Sequence, residues 1–396
     1  MVIVMRFLIW ICSKVYNIMK RRFPIKKGKI LFLSRQYNNV SLDYRMLISE
    51  LMERNPALQI VTITKRVEKN FISVLSFAIA SVRSMYHLAT SEVCILDSYW
   101  PIVSVLRHKK ELTVIQIWHA AGKIKKSGYQ TLDMAYGRKR KVAITMQMHV
   151  GYDVVIAGGE AMNASYCESF HISEDKLLNF GLPRLDYLQE RRCYGRQRFL
   201  IKHPECVGKR IILYAPTFRP GKALHFEHLI ECFSGLEYVF IVRPHPNQKF
   251  SSDVLRDDFR DVTTMDLLTA CDYLITDFSA ITIEAAAASV KTLFYLYDYL
   301  DYKQNNGLNI DLPRVIPSCC FYHPEDLERT IRSNSYDAAA MEAFAGQYLP
   351  NCLGSCTRKI TALILDCLRL GKEEALYRNL VFWRAGNAPD REFTIV

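Results

Sequence analysis

The sequence predicts two doubly wound α/β units with parallel sheets and a cleft between them, and three observations predict it. The chain has 396 residues, more than one hydrophobic core usually serves, so two units are expected. Half the residues are hydrophobic and 23% are charged, the balance of a folded chain rather than a disordered one. Short apolar runs alternate with helical patterns in both halves, as in units whose parallel strands are buried on both faces.

The chain opens on an apolar segment, Val2 to Cys12, broken only by Arg6. Its first 29 residues also hold Lys14, Lys20, Arg21, Arg22, Lys26, Lys27 and Lys29, with no acidic residue. About eleven apolar residues fall short of the about twenty that span a bilayer, and no small-x-small cleavage site follows. An amphipathic helix within 1–25, apolar side in the lipid boundary and cations near anionic head groups, fits this pattern.

From residue 26 to 190 the apolar runs at 30–33, 58–64, 93–96, 112–118, 153–157 and 178–180 read as strands. Between them lie a helix at 44–54 and a long apolar helix at 71–88, interrupted by Arg83 and expected to be core rather than a lipid contact. The polar, Arg-rich stretch 189–210 is the linker expected from composition. A second unit, 205–357, repeats the rhythm with strands at 210–214, 238–242, 273–276 and 292–296. A closing helix at 358–370 begins a final segment that runs to 396.

The formal charge of +12 calls for an anionic partner but does not choose among nucleic acid, lipid and phosphorylated substrate. Its concentration at the N-terminus, without interleaved stacking aromatics, favours a membrane surface over nucleic acid. The twelve cysteines are scattered and form no CxxC pair with zinc-ligand spacing, which points to reduced thiols in a cytosolic compartment.

Four polar clusters each follow a predicted strand, where a doubly wound fold places its working groups. The first is Trp118-His119-Ala120-Ala121-Gly122, followed by Lys123, Lys125 and Lys126. His119 suits proton transfer at neutral pH, and the lysines suit phosphate. The second, Ala215-Pro216-Thr217-Phe218-Arg219, and the third, Arg243-Pro244-His245-Pro246, present cationic or protonatable groups at proline-fixed turns. Arg219 and Arg243 are candidate phosphate ligands, and His245 a candidate stabiliser of leaving-group charge. The fourth, Thr276-Asp277-Phe278-Ser279, enters an alanine-rich helix carrying Glu284. Its first amides and the Ser279 hydroxyl suit a phosphate, and Glu284 suits ribose hydroxyls. No glycine-rich ATP or dinucleotide fingerprint and no HExxH or DxD metal motif occurs, so neither cofactor nor metal is expected, cations standing in for one.

In this order, and with Gly181-Leu182-Pro183-Arg184-Leu185-Asp186 between the first two, the clusters resemble those of the CDP-glycerol glycerophosphotransferase family of teichoic acid primases and polymerases. The wording WHAAG is similar to the primase branch. The resemblance implies two Rossmann-like domains in a glycosyltransferase-B-like arrangement, a membrane-binding N-terminus and a CDP donor in the C-terminal domain. It implies transfer of glycerol phosphate from CDP-glycerol, or of ribitol phosphate from CDP-ribitol, to a prenyl-diphosphate-linked sugar, with release of CMP. The site would lie on the cytoplasmic face of the plasma membrane. His119 and His245 would be catalytic. Thr217, Arg219, Arg243, Asp277, Ser279 and Glu284 would bind the donor, and Lys125 and Asp43 the acceptor side. The chain departs from the family pattern at Ala280, where a second Ser or Thr is usual, at Glu284 in place of Asp, and at Asp43 in place of Asn. A nucleotide-sugar glycosyltransferase of the same fold and a noncatalytic anion-binding module are the alternatives.

Overall fold

The computed structural model describes residues 2–68, 70–219, 227–245, 248 and 259–384. Pro246 and the segment 385–396, both named above, lie outside the described residues.

The first sheet has six parallel strands: β1 (Lys29–Ser34), β2 (Gln59–Thr64), β3 (Val93–Leu96), β4 (Thr113–Gln116), β5 (Val154–Ile156) and β6 (Leu177–Leu178). Their order is β2-β1-β3-β4-β5-β6. The second has five, β7 (Arg210–Tyr214), β8 (Tyr238–Val242), β9 (Tyr273–Thr276), β10 (Lys291–Tyr295) and β11 (Cys320–Phe321), ordered β11-β10-β9-β7-β8. Every pairing is parallel. The apolar runs predicted this, because a parallel strand covered on both faces buries consecutive residues. β1, β3 and β4 are buried throughout, whereas edge strand β2 alternates Thr with Ile and stays half exposed.

Strand order reverses between β1 and β3 in the first sheet and between β7 and β9 in the second. Those reversals open crevices at the strands' carboxyl ends, where ligands of such folds bind. The loops after β4, β7 and β9 carry three of the four polar clusters.

One stretch agrees with expectation and two differ. The N-terminal helix α1 (Val2–Arg22) falls within 1–25 and continues past the apolar run, because the polar residues after Cys12 sit at helical spacing. Its C-terminal half is anchored: Tyr16 is buried and its hydroxyl meets His108 Nδ1 at 2.8 Å, and Lys20 donates to the Arg107 carbonyl at 2.7 Å. The stretch read as a linker, 189–210, holds the end of the helix Pro183–Arg191 and all of Gly195–Lys202, and its Phe199 and Cys206 enter the second unit's core. Apolar residues spaced within an Arg-rich segment decided that.

The second difference is α3 (Phe71–Thr90). Its N-cap Asn70 accepts from Ser73 N at 2.7 Å. Only its end, from Ser84 onward, is core as expected; Phe71 is 82% and Ile72 76% exposed, and Val74, Leu75, Ile79 and Val82 are exposed as well. By length and composition α1 and α3 are each long and apolar enough to cross a membrane.

A continuous apolar seam joins the sheets. The cluster around β1, β3 and β4 includes Phe278, Ile283, Phe294 and Tyr302 of the second unit, with Phe344 and Ile360 from the closing helices. The helix Cys356–Leu370 thereby returns the chain to the first sheet.

Candidate active site

The first loop begins under strain. Trp118, directly after β4, has φ 61°, a left-handed conformation uncommon for a bulky residue and concentrated at functional sites. Its amide donates to Gln116 Oε1 at 2.9 Å and its ring lies over His119 with centroids 4.1 Å apart. His119 Nδ1 lies 2.9 Å from the Asp97 carbonyl. A carbonyl only accepts, so Nδ1 carries the proton and Nε2 is left as the basic nitrogen. Burial, with Lys123, Arg184 and Lys125 nearby, lowers the imidazole to about 3.

The same loop reaches the second sheet's unit. A Cβ on Gly122 would sit 2.6 Å from Ile283 Cγ1 and 3.2 Å from Met162 Sδ, so glycine permits the approach of backbone to the donor-side helix Ile281–Ala287. Further on, Asn309 N donates to Ile124 O at 2.8 Å, Lys126 N to Gly307 O at 3.1 Å, and Lys125 pairs with Leu308. This seats Lys125 against the second unit. Burial lowers its ammonium to about 8, Asp277 opposing and Arg219 adding to the shift. His245 is lowered to about 4 by burial and by the charges of Lys125 and Arg66. Lys125 therefore lies within electrostatic reach of both candidate catalytic histidines.

Several expected ligands are instead framework. Arg219 is buried, its Nε 2.7 Å from Asp298 Oδ2, its Nη2 2.9 Å from both Asp298 Oδ1 and Asp277 Oδ2, and its Nη1 3.0 Å from the Thr217 carbonyl. These two carboxylates raise its already high pKa, and its guanidinium stacks 4.3 Å from the Tyr302 ring centroid. Four of its five N–H groups are committed, so the phosphate-ligand expectation is replaced by an internal ion-pair node. Asp277 is likewise consumed, accepting from Thr217 N at 2.9 Å, Thr217 Oγ1 at 2.5 Å and Phe278 N at 2.7 Å. Thr217 is buried with it. This knot ties the ends of β7 and β9 at the strand-order reversal.

Asp43 also points inward. From the first turn of α2 (Leu42–Arg54) it accepts from Arg184 N at 2.9 Å and from Arg184 Nε and Nη2. Arg184 Nη1 continues to the His119 carbonyl at 3.2 Å and to Glu284 Oε1 at 3.4 Å. Lys123, read as a phosphate ligand, is buried too: Nζ donates to Ser127 and Ser169 hydroxyls at 3.0 Å and lies 4.2 Å from the Phe170 ring centroid. Burial without a carboxylate partner pushes its pKa far down.

The arrangement brings together His119, Lys125, His245, Ser279 and Glu284 around the crevice. Ser279 is half-buried, its Oγ 3.4 Å from Ile281 N at the start of the donor-side helix. Arg243 turns part of its guanidinium to the Phe259 carbonyl, 2.5 Å from Nη2. Asp97, which the sequence reading passed over, stands after β3 beside Ser34 and Ser98, and burial raises its carboxyl to about 7. Its signal was position alone, a lone acid ending a buried strand. Among the described residues one grouping has metal-ligand types and spacing, His228, Cys232 and Glu325, their ligand atoms within 4.8 Å of one another. It involves none of the crevice residues. All twelve cysteines are free.

A family model described as CDP-Glycerol:Poly(glycerophosphate) glycerophosphotransferase matches residues 15–366. The chain belongs to that family. This member is 28% identical over 375 residues to the teichoic acid ribitol-phosphate primase of Bacillus spizizenii (strain ATCC 23059 / NRRL B-14472 / W23), covering 90% of this chain and 96% of that one. It is 33% identical over 265 residues to the teichoic acid glycerol-phosphate primase of Bacillus subtilis (strain 168), covering 64% and 68%. In fold it is similar to the wall teichoic acid polymerase TagF in a structure soaked with CDPG, with a TM-score of 0.72 at 17% identity over 91% of this chain and 93% of that one. Family membership makes this chain a transferase, and teichoic acid synthesis is the setting it shares with these relatives.

Proposed function

We propose that the protein transfers glycerol phosphate, or ribitol phosphate, from its CDP ester to a prenyl-diphosphate-linked sugar at the membrane surface, releasing CMP. The observation that carries this reading is the seating of the His119–Lys125 loop of the first unit against the donor-side helix and the 307–310 segment of the second.

The acceptor hydroxyl oxygen attacks the donor's β-phosphorus. A new oxygen–phosphorus bond forms, the bond from that phosphorus to the bridging oxygen of CMP breaks, and the hydroxyl proton passes to His119 Nε2. In the unliganded protein His119 is a weak base, because burial and three nearby cations oppose its protonation. An arriving diphosphate supplies compensating negative charge and raises its basicity. Lys125 and His245 meet the phosphate oxygens from the two units, stabilising charge that shifts onto CMP. Ser279 and the first amides of the donor-side helix add neutral donors, and Glu284 accepts from the ribose.

The exposed apolar residues Ile3, Val4, Phe7, Leu8 and Trp10 fill the first half of α1, and Ile18 stands among Lys14, Lys20, Arg21 and Arg22 in the second. That pattern supports docking at an anionic cytoplasmic leaflet, with the exposed part of α3 in the same layer. Purified protein should release CMP from CDP-glycerol or CDP-ribitol only when a synthetic prenyl-diphosphate disaccharide is present. Silence with both donors from folded, vesicle-competent protein refutes the proposal.

A further inference from the structure

Among the described residues, Arg184 is the guanidinium whose partners come from both units and from the acceptor-side loop. It stands in the first turn of Pro183–Arg191, buried but for 9% of its surface. One edge of its fork and its own backbone amide are taken by Asp43 of α2; the remaining nitrogen, Nη1, divides between the His119 carbonyl and Glu284 Oε1. The other carboxylate oxygen, Glu284 Oε2, is buried and has no hydrogen-bond partner. Two carboxylates therefore share one cation. The excess negative charge falls on the atom that lacks a donor, and such an oxygen calls for a hydroxyl. Whatever occupies Glu284 is felt, through one rigid planar group, at the main chain of His119.

We propose that Arg184 is a positioning residue that couples the donor-side carboxylate Glu284 to the acceptor-side base His119, so that ribose binding at Glu284 Oε2 sets the register of His119. The inference rests on the cytidine-donor reading above and deepens it. Burial raises the Glu284 carboxyl, the Arg184 charge pulls it back and the Asp43 charge adds to the rise. A carboxylate with a raised pKa loses its charge as pH falls through that value, so removing Arg184 moves the loss to higher pH. A lysine keeps the charge of Arg184 but cannot span three partners with one planar fork.

The test is calorimetric titration with CMP across about pH 5.5 to 8.5, together with steady-state kinetics, on wild type, Arg184→Lys and Glu284→Gln. Arg184→Lys should bind CMP about tenfold more weakly at the acid end while converging on wild type at the alkaline end, the loss of one charge-assisted hydrogen bond. Its kcat at saturating donor should fall as well, because His119 loses its register. Glu284→Gln should abolish the acid-end difference that Arg184→Lys shows, leaving only the pH dependence of the CMP phosphate, which titrates at about 6, and of Lys125. An Arg184→Lys profile that superimposes on wild type, with kcat reduced only in proportion to the folded fraction, overturns the coupling and leaves Arg184 a structural anchor. Should Arg184→Lys fail to fold, persistence of the wild-type pH dependence in Glu284→Gln overturns it alone. A wild-type protein that binds no CMP defeats the donor reading and the coupling with it; normal wild-type binding with unresponsive variants defeats the coupling only.

Discussion

Replacing Arg219 with methionine separates a phosphate ligand from a framework cation. Methionine keeps the length and apolar stem of arginine but leaves Asp277, which is 1% exposed, and Asp298 without their shared countercharge. Removing one partner of a buried ion pair costs about 3–5 kcal/mol. Asp277 keeps its three donors from Thr217 and Phe278, and Asp298 is partly solvated, which places the expected cost near the low end, about 3 kcal/mol. At roughly 2–4 °C per kcal/mol for a unit of this size, the midpoint should fall by about 6–12 °C. Thermal unfolding followed by calorimetry and by tryptophan fluorescence reads this directly. The double variant Arg219→Met with Asp277→Asn removes the stranded charge and should recover part of the loss, a coupling of about 1–3 kcal/mol. A midpoint within about 2 °C of wild type, with donor affinity alone reduced, would refute the framework argument and restore Arg219 as a ligand.

Three further outcomes follow from the same geometry. His119→Ala should lower acceptor-dependent CMP release by about 10²–10⁴-fold while leaving CMP affinity and the unfolding midpoint near wild type, since only the base is lost. Asp97 is raised from 3.8 to about 7 in the fold, so its stability penalty is absent at about pH 4, grows as pH rises and is complete above about 7; Asp97→Asn should leave urea stability unchanged at about pH 4 and increase it by up to about 4 kcal/mol at about pH 8. An equal change at both pH values would count against burial as the cause. Phe7→Ser with Trp10→Ser removes two exposed rings of α1 and should weaken association with phosphatidylglycerol vesicles by about tenfold or more in sedimentation, without moving the unfolding midpoint.

The strands were legible in the sequence because burying both faces of a parallel sheet demands consecutive apolar residues. The runs around Phe32, Ile95, Leu213 and Ile275 carry that demand locally. The clusters at His119, Thr217 and Asp277 were legible as well, since in such folds polar residues directly after a buried strand fall at the crevice. Family membership follows from those short segments and their order. What each polar side chain does was decided only by tertiary structure. Arg219 reads as an open phosphate ligand until Asp277 and Asp298, 58 and 79 residues away, are brought against it. Asp43 and Glu284 meet on Arg184 across separations of 141 and 100 residues. That most of α3 stays exposed while its end from Ser84 is buried was likewise decided by what the folded chain packs against it. Local hydrophobic pattern is written residue by residue, whereas the partner of a buried charge is chosen by whatever the folded chain places within about 3 Å of it, and no local pattern encodes that.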